Sequence, residues 1–162
     1  MIVVSDASVL LALANCRSLQ LLESLFEEIR VPGAVFDELA VPGKPMADSV
    51  SRFLDGKVTR LEPGELVEEL SGLGGGEREA MALYWQLRAD LLLVDDKRAR
   101  KAARANGIRI SGSLGVLLLA KERGLLKSVR PLLEELQASE IYVDGRLIRK
   151  ALQLAGEESD EA

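Results

Sequence analysis

Short apolar runs that alternate with longer segments of helical periodicity constrain the fold of this chain most strongly. IVV at residues 2–4 and LLLV at residues 91–94 have the length of strands, and amphipathic segments follow both. An apolar run without alternation is typical of a strand that is covered on both faces. Strands that are connected through helices pair in parallel. We therefore predict an α/β fold, a three-layer α/β/α sandwich with a mostly parallel central sheet.

The length of 162 residues and the absence of a long linker predict a single domain over residues 1–156, followed by an acidic disordered tail at residues 157–162. GLGGG at residues 72–76 predicts a flexible loop after a short helix at residues 65–70, and it lacks the pattern of a phosphate-binding loop. The start MIVVSDAS does not resemble a signal peptide, and no apolar run reaches the length of a membrane span. We therefore expect a cytoplasmic protein.

Histidine is absent from the sequence. This excludes Ser-His-Asp and Cys-His catalysis, zinc sites with histidine ligands and histidine general bases. Cys16 is the single cysteine, so no intramolecular disulfide can form. The chain has 21 Lys and Arg against 26 Asp and Glu, a net charge of −5, so an anion-binding surface would have to be local. An enzyme of this composition would work with carboxylates, Lys, Arg or hydroxyl groups.

Acidic residues follow predicted strands or open predicted helices throughout the chain. They are Asp6, Glu38, Glu77, Glu79, Asp95 and Asp96. Because ligands bind at the carboxyl ends of parallel strands, we expect Asp6 and the Asp95-Asp96 pair to face one crevice. Several carboxylates in one cleft resist ionisation unless a cation neutralises them, and hard ions such as Mg²⁺ or Mn²⁺ prefer oxygen ligands. The pattern predicts a divalent metal site.

Each of these acids also has a purely structural interpretation. Asp6 and Asp96 are suited to cap the helices that follow them, and the glutamates can complement helix dipoles or lie in solvent. The aspartate pair is the exception, because a cap explains only Asp96 and leaves Asp95 as an uncompensated charge at the edge of a buried strand.

The run KRARKAAR after the aspartate pair places Lys97, Lys101 and Arg104 on one helix face, with Arg100 beside them. Such a run usually forms a solvated basic face. This one begins at the predicted metal crevice, where a phosphate backbone would need positive charge.

Four segments taken together resemble the successive acidic motifs of PIN-domain ribonucleases. They are SDASVLLAL, VPGAVFDEL, GGGEREAMAL and LLLVDDKRARKAA. The resemblance extends over nearly the whole chain and is closest to PIN-like proteins that look like toxins of prokaryotic toxin–antitoxin pairs. It implies a Mg²⁺- or Mn²⁺-dependent endoribonuclease that cleaves single-stranded RNA. It also implies a cognate antitoxin protein as partner and a homodimer, for which helices around residues 117–119 or 147–154 could supply the surface if they are not core.

The resemblance implies a role for individual residues. The catalytic metal ligands would be Asp6, Glu38, Glu79 and Asp96, with Glu77 and Asp95 as alternatives for the last two. The RNA contacts would be Lys97, Arg98, Lys101 and Ser8. Two features depart from the family pattern: a Glu stands where many relatives have Asp, and Val94-Asp95 replaces the usual Thr before the last Asp. These departures leave open a catalytically weak or silent PIN-like module that binds a partner protein or RNA.

Overall fold

Five parallel strands form the central sheet. The computed structural model describes residues 1–62, 73–141 and 143–158. The strands are β1 (Ile2–Ser5), β2 (Glu28–Pro32), β3 (Val58–Thr59), β4 (Leu91–Leu93) and β5 (Ile110–Ser111), and they lie in the order β3-β2-β1-β4-β5. The chain builds outward from β1 to β3 on one side and then crosses to β4 and β5 on the other. The junction of β1 and β4 is therefore the point at which ligands of such sheets bind.

Helices cover both faces of the sheet. They are α1 (Ala7–Asn15), α2 (Gln20–Leu25), α3 (Gly33–Leu39), α4 (Ala47–Phe53), α5 (Gly75–Gln86), α6 (Lys97–Ala105), α7 (Ser113–Glu122), α8 (Arg130–Ala138) and α9 (Gly145–Leu154). None of those described is long and apolar enough to cross a membrane. The parallel sheet with helices on both faces confirms the predicted three-layer α/β/α fold.

Alternate residues of the central strands enter two separate cores. Val3 of β1 and Leu93 of β4 pack with α1, α2, α7 and α8, whereas Val4 and Leu92 pack with α5 and α6. Because successive side chains of a strand point to opposite faces, an apolar run such as LLLV serves both layers at once. This dual burial explains why the central strands carry no polar residue before they end.

The predicted elements differ from the structure at several ends. GLGGG was predicted as a loop, but Gly75 and Gly76 form the first turn of α5 and Gly74 is its N-cap. Residue 72 and the helix predicted at residues 65–70 lie outside the described residues. Gly75 and Gly76 accept a helical conformation because the rest of α5 packs against β1, β2 and β4, whereas the backbone of Gly74 is extended.

Glu157 ties the end of the chain to the fold, although it falls within the tail that was predicted to be disordered. Its carboxylate accepts hydrogen bonds from the backbone N–H groups of Val129 (2.8 Å) and Arg130 (3.2 Å), from the Ser128 hydroxyl and from the Lys121 ammonium group (2.9 Å). Burial alone would raise the pKa of Glu157, but these donors outweigh it and hold the pKa at about 2. The end of α9 is thereby fixed to α7 and α8, whereas residues 159–162 lie outside the described chain.

We expect Glu157→Gln to lower the free energy of unfolding at pH 7 by about 1–3 kcal/mol, because a charged acceptor of four hydrogen bonds is replaced by a neutral amide. Because the folded pKa lies below the ordinary value of 4.5, the contribution is present above that pH and is lost as the pH falls towards 2. Urea unfolding at pH 7 and pH 3 measures the change. The matched control is Glu158→Gln, next to it and exposed; equal stability of the two variants would contradict the assignment.

Candidate active site

Asp6 lies at the junction of β1 and β4 and is almost completely buried, with 3% of its surface exposed. Its backbone N–H donates to Leu93 O of β4 (3.0 Å), which continues the sheet by one bond beyond the strand. Its carboxylate caps α1 by accepting from the N–H of Val9 (3.1 Å), and it also accepts from the hydroxyl of Ser8 (2.8 and 2.9 Å to its two oxygens). The predicted cap is therefore confirmed, and it fixes the carboxylate at the carboxyl edge of the sheet.

The pKa of Asp6 is raised from 3.8 to about 7. Burial is the largest cause, and the nearby carboxylates of Asp95 and Glu77 raise the pKa further, while the hydrogen bonds from Val9 and Ser8 lower it. The N-cap bond alone would favour an ionised aspartate. The environment of Asp6 is therefore one in which a positive charge is needed to keep the carboxylate ionised at neutral pH.

A cavity of about 230 Å³ opens beside Asp6, and we call it the acid pocket. It is lined by Asp6, Ala7, Ser8, Leu11, Glu38, Leu39, Gly76 and Glu77. The start of α1, the end of α3 and the first turn of α5 meet there. The volume corresponds to roughly eight waters at about 30 Å³ each, so the pocket can hold a hydrated ion or a phosphate group. The predicted acids Asp6 and Glu38 thus share one cavity with Glu77.

Two glycines at the start of α5, Gly74 and Gly76, leave room for two of these acids. A Cβ at Gly76 would lie 3.4 Å from the Oε2 atom of Glu38, and a Cβ at Gly74 would lie 2.5 Å from the Oε2 atom of Glu77. The absent side chain of Gly76 lets α5 approach α3 at Glu38, whereas that of Gly74 leaves room for Glu77 of the same helix. GLGGG was therefore a signal of close approach at the site rather than of a free loop.

Asp95 and Asp96 cap different helices. Asp96 is exposed, and its Oδ2 atom accepts from the N–H of Ala99 (2.9 Å) at the start of α6. Asp95 accepts at Oδ1 from the N–H of Ser113 (2.8 Å), the first residue of α7. The expectation that Asp95 would be left uncompensated was wrong, because the helix after β5 starts within its reach. The signal was the SGS sequence directly after the IRI strand.

The structure also separates the alternatives for the last two acids by position. Asp95 lies close enough to Asp6 for its charge to raise the pKa of that carboxyl group, and its backbone N–H donates to Ser8 Oγ (3.3 Å). Glu79 does not line the acid pocket, and its Oε1 atom accepts from the N–H of Ala34 (3.3 Å) in the first turn of α3. Asp6, Glu38 and Glu77 thus line the acid pocket and Asp95 lies within electrostatic range of Asp6, while the carboxylates of Glu79 and Asp96 accept from helix starts.

Within residues 1–62, 73–141 and 143–158, no three acidic or cysteine side chains converge closely enough to form a metal-binding group. The donor chemistry nevertheless fits a hard divalent ion, since all four acids offer carboxylate oxygens and one of them is buried among like charges. Glutamate side chains on two facing helices leave the distances adjustable by rotation about χ angles. The ligand type of these residues therefore fits a divalent ion, and their side chains would have to move towards each other to coordinate it.

The cations of α6 lie next to these acids. Lys97, Arg100, Lys101 and Arg104 line a second depression, which we call the cationic groove. Arg98, which was predicted with them as an RNA contact, is exposed and does not line the groove. Ser8, predicted as a further RNA contact, uses its hydroxyl to bridge Asp6 and the backbone of Asp95.

A comparison with protein families decides the identity of the fold. The model of a family described as a PIN domain matches residues 2–157. The chain belongs to the PIN-domain family. PIN domains are generally nucleases and typically use divalent metals. A search of curated proteins finds no match to this PIN domain.

We expect Asp6→Asn to stabilise the metal-free protein at pH 8 by a few kcal/mol, roughly 2–4. Asparagine caps helices as well as aspartate does, so the bond to Val9 can persist. The folded pKa of Asp6 is raised, so its stabilising contribution is complete below pH 3.8 and is lost as the pH rises through about 7. The gain from the variant should therefore grow between these values and then stay constant.

Thermal unfolding in EDTA at pH 5 and pH 8 measures this difference. The matched control is Asp96→Asn, which removes the same charge at an exposed helix cap and should show no gain in stability. A destabilised Asp6→Asn protein at pH 8 would show instead that the ionised carboxylate supports the fold.

Proposed function

We propose that this PIN domain is a Mg²⁺- or Mn²⁺-dependent endoribonuclease that cleaves single-stranded RNA at the acid pocket. The observation that carries the proposal is Asp6, a buried carboxylate whose pKa is raised to about 7 beside Asp95 and Glu77. A fold gains no stability from an ionised carboxylate in such surroundings. Its position at the junction of β1 and β4 is the position of ligand sites in parallel sheets.

Asp6, Glu38, Glu77 and Asp95 would hold the ion, with Glu79 and Asp96 as the alternatives that the sequence motifs favour. When bound, a divalent ion would supply an activated water and stabilise charge on the phosphodiester. Ser8 holds the Asp6 carboxylate in place through its hydroxyl and accepts from the N–H of Asp95, so it orients both acids. Lys97 and Lys101 would attract the RNA backbone to the edge of the pocket.

We further propose that the protein is the toxin of a toxin–antitoxin pair, bound by a cognate antitoxin in the cytoplasm, and that it forms a homodimer. Of the two dimer surfaces predicted from sequence, α9 has the exposed apolar side chains: Leu147 is 47% and Leu154 is 66% exposed, while Leu117 is buried in the core. The support for the antitoxin is the resemblance of the four acidic motifs to those of PIN-like toxins.

A second candidate is a catalytically silent module that binds RNA or a partner protein. It is favoured by the acids not converging to coordination distance within the described chain. The two candidates differ in one observable, since a silent module does not need to bind the ion.

Mn²⁺ should raise the Tm of the unaltered protein in a thermal-shift assay, and it should not raise that of Asp6→Asn. The same variant should lose at least about 100-fold in cleavage of a labelled single-stranded RNA, because several kcal/mol of charge stabilisation depend on the ion. Combined with the gain in stability expected for the metal-free variant, this loss would separate function from folding. Undiminished cleavage by Asp6→Asn would refute the nuclease proposal, and an absent Mn²⁺ effect would favour the silent module.

Two matched pairs of variants identify the remaining ligands. Asp95→Asn and Glu77→Gln should each remove the Mn²⁺ shift, because these carboxylates lie with Asp6. Asp96→Asn and Glu79→Gln should retain it, because their carboxylates bind helix starts. The opposite pattern would assign the site to the residues that the sequence motifs favour.

A further inference from the structure

The cationic groove lies on one face of α6, and the opposite face of the helix is apolar. Its four lining residues follow the spacing i, i+3, i+4 and i+7, while Ala99 and Ala103 on the opposite face are completely buried. The helix contains no acidic residue. A chain with a net charge of −5 thus presents a line of four cations on one face of a single helix.

Arg100 differs from the other three cations because it reaches back towards the acids. It is half-buried, whereas Lys97, Lys101 and Arg104 are exposed. Its Nη1 atom donates to Val94 O (3.3 Å) at the end of β4. The guanidinium therefore lies at the carboxyl edge of the sheet, although the residue belongs to the outer helix.

Gly112 shows how close Arg100 comes to the acids. A Cβ at this position would lie 2.8 Å from the Nη1 atom of Arg100 and 2.5 Å from the Oδ1 atom of Asp95. The guanidinium and the carboxylate thus pack against the same backbone atom. Arg100 therefore brings one end of the cationic groove close to Asp95.

The lining of the groove identifies the kind of ligand. The four cations extend over about 10 Å of helix axis, which suits a chain of anionic groups better than one small anion. All lining residues are Lys or Arg, so the groove contains none of the aromatic side chains that often anchor protein partners, and its apolar surface consists of the aliphatic stems of the cations. Phosphates of an extended nucleic acid strand meet both conditions.

We propose that the cationic groove binds the backbone of the single-stranded RNA substrate and that Arg100 holds the phosphate nearest the acid pocket. The inference rests on the proposed function, because it takes RNA as the ligand. A guanidinium can bind a phosphate through two parallel N–H groups, and its bond to Val94 O fixes the direction from which it does so. Lys97, Lys101 and Arg104 hold the phosphates that follow.

RNA binding without cleavage tests the groove. We would measure fluorescence anisotropy of a labelled ten-nucleotide RNA with the Asp6→Asn protein at 50 and 200 mM salt. Adding Arg100→Gln or Lys101→Gln should weaken binding about 3–10-fold at the lower salt and reduce the salt slope by about 0.7. Arg98→Gln, the same charge change on the same helix but outside the groove, should stay within about twofold.

Steady-state cleavage by the otherwise unaltered enzyme tests Arg100 itself. Lys101→Gln should raise KM and leave kcat unchanged, because it removes uniform binding, whereas Arg100→Gln should lower kcat about 10–100-fold. Arg100→Lys should recover part of that loss by restoring the charge without the fork. Thermal unfolding of each variant separates these effects from a loss of the bond to Val94 O.

Equal losses in Arg98→Gln and Arg100→Gln would overturn the proposal, because binding would then follow total charge. A poly-glutamate peptide that binds more tightly than the RNA would assign the groove to an acidic protein partner instead. These results are distinguishable from failure of the proposed function, which appears as absent cleavage by the unaltered enzyme whatever the binding data show.

Discussion

The burial of one carboxylate between two parallel strands is the constraint on which the rest of this structure depends. Asp6 is bonded through its backbone to β4 and through its side chain to the start of α1, so it cannot move away from the sheet edge. Burial and like charges oppose its ionisation. An ionised Asp6 therefore lowers the stability of the fold. A buried acid of this kind, with the charges of Glu77 and Asp95 nearby, is typical of a functional site.

Acidic and basic side chains occupy separate regions of the molecule, which the net charge of −5 does not indicate. Acids line the pocket where α1, α3 and α5 meet the carboxyl edge of the sheet, and Arg100 of α6 approaches Asp95 at Gly112. Glycines make both arrangements possible because they have no side chain. Glu38 packs against the backbone of Gly76, and Asp95 and Arg100 pack against the backbone of Gly112. A PIN domain can thus present an acidic centre and a phosphate-binding surface within one small fold.

The sequence predicted the layers of the fold and the edge at which the acids gather, because buried apolar runs and their following acids are local patterns. IVV and LLLV became β1 and β4, and their acids met as parallel pairing requires. It could not decide between Asp95 and Asp96 or between Glu77 and Glu79. Those choices depend on the helix start that each carboxylate meets, and the partners Ser113 and Ala34 are 18 and 45 residues away. Glu157 was misjudged for the same reason, since its donors lie on two other helices.

The most direct test of this account is the ionisation of Asp6 itself. Carbon-detected NMR of the side-chain carboxyl groups, followed over pH 3–9 in the metal-free protein and again with Mg²⁺, measures it. The account predicts that Asp6 titrates near pH 7 without the ion and at a clearly lower pH with it. An Asp6 carboxyl that titrates near its ordinary value of 3.8 under both conditions would contradict the central claim.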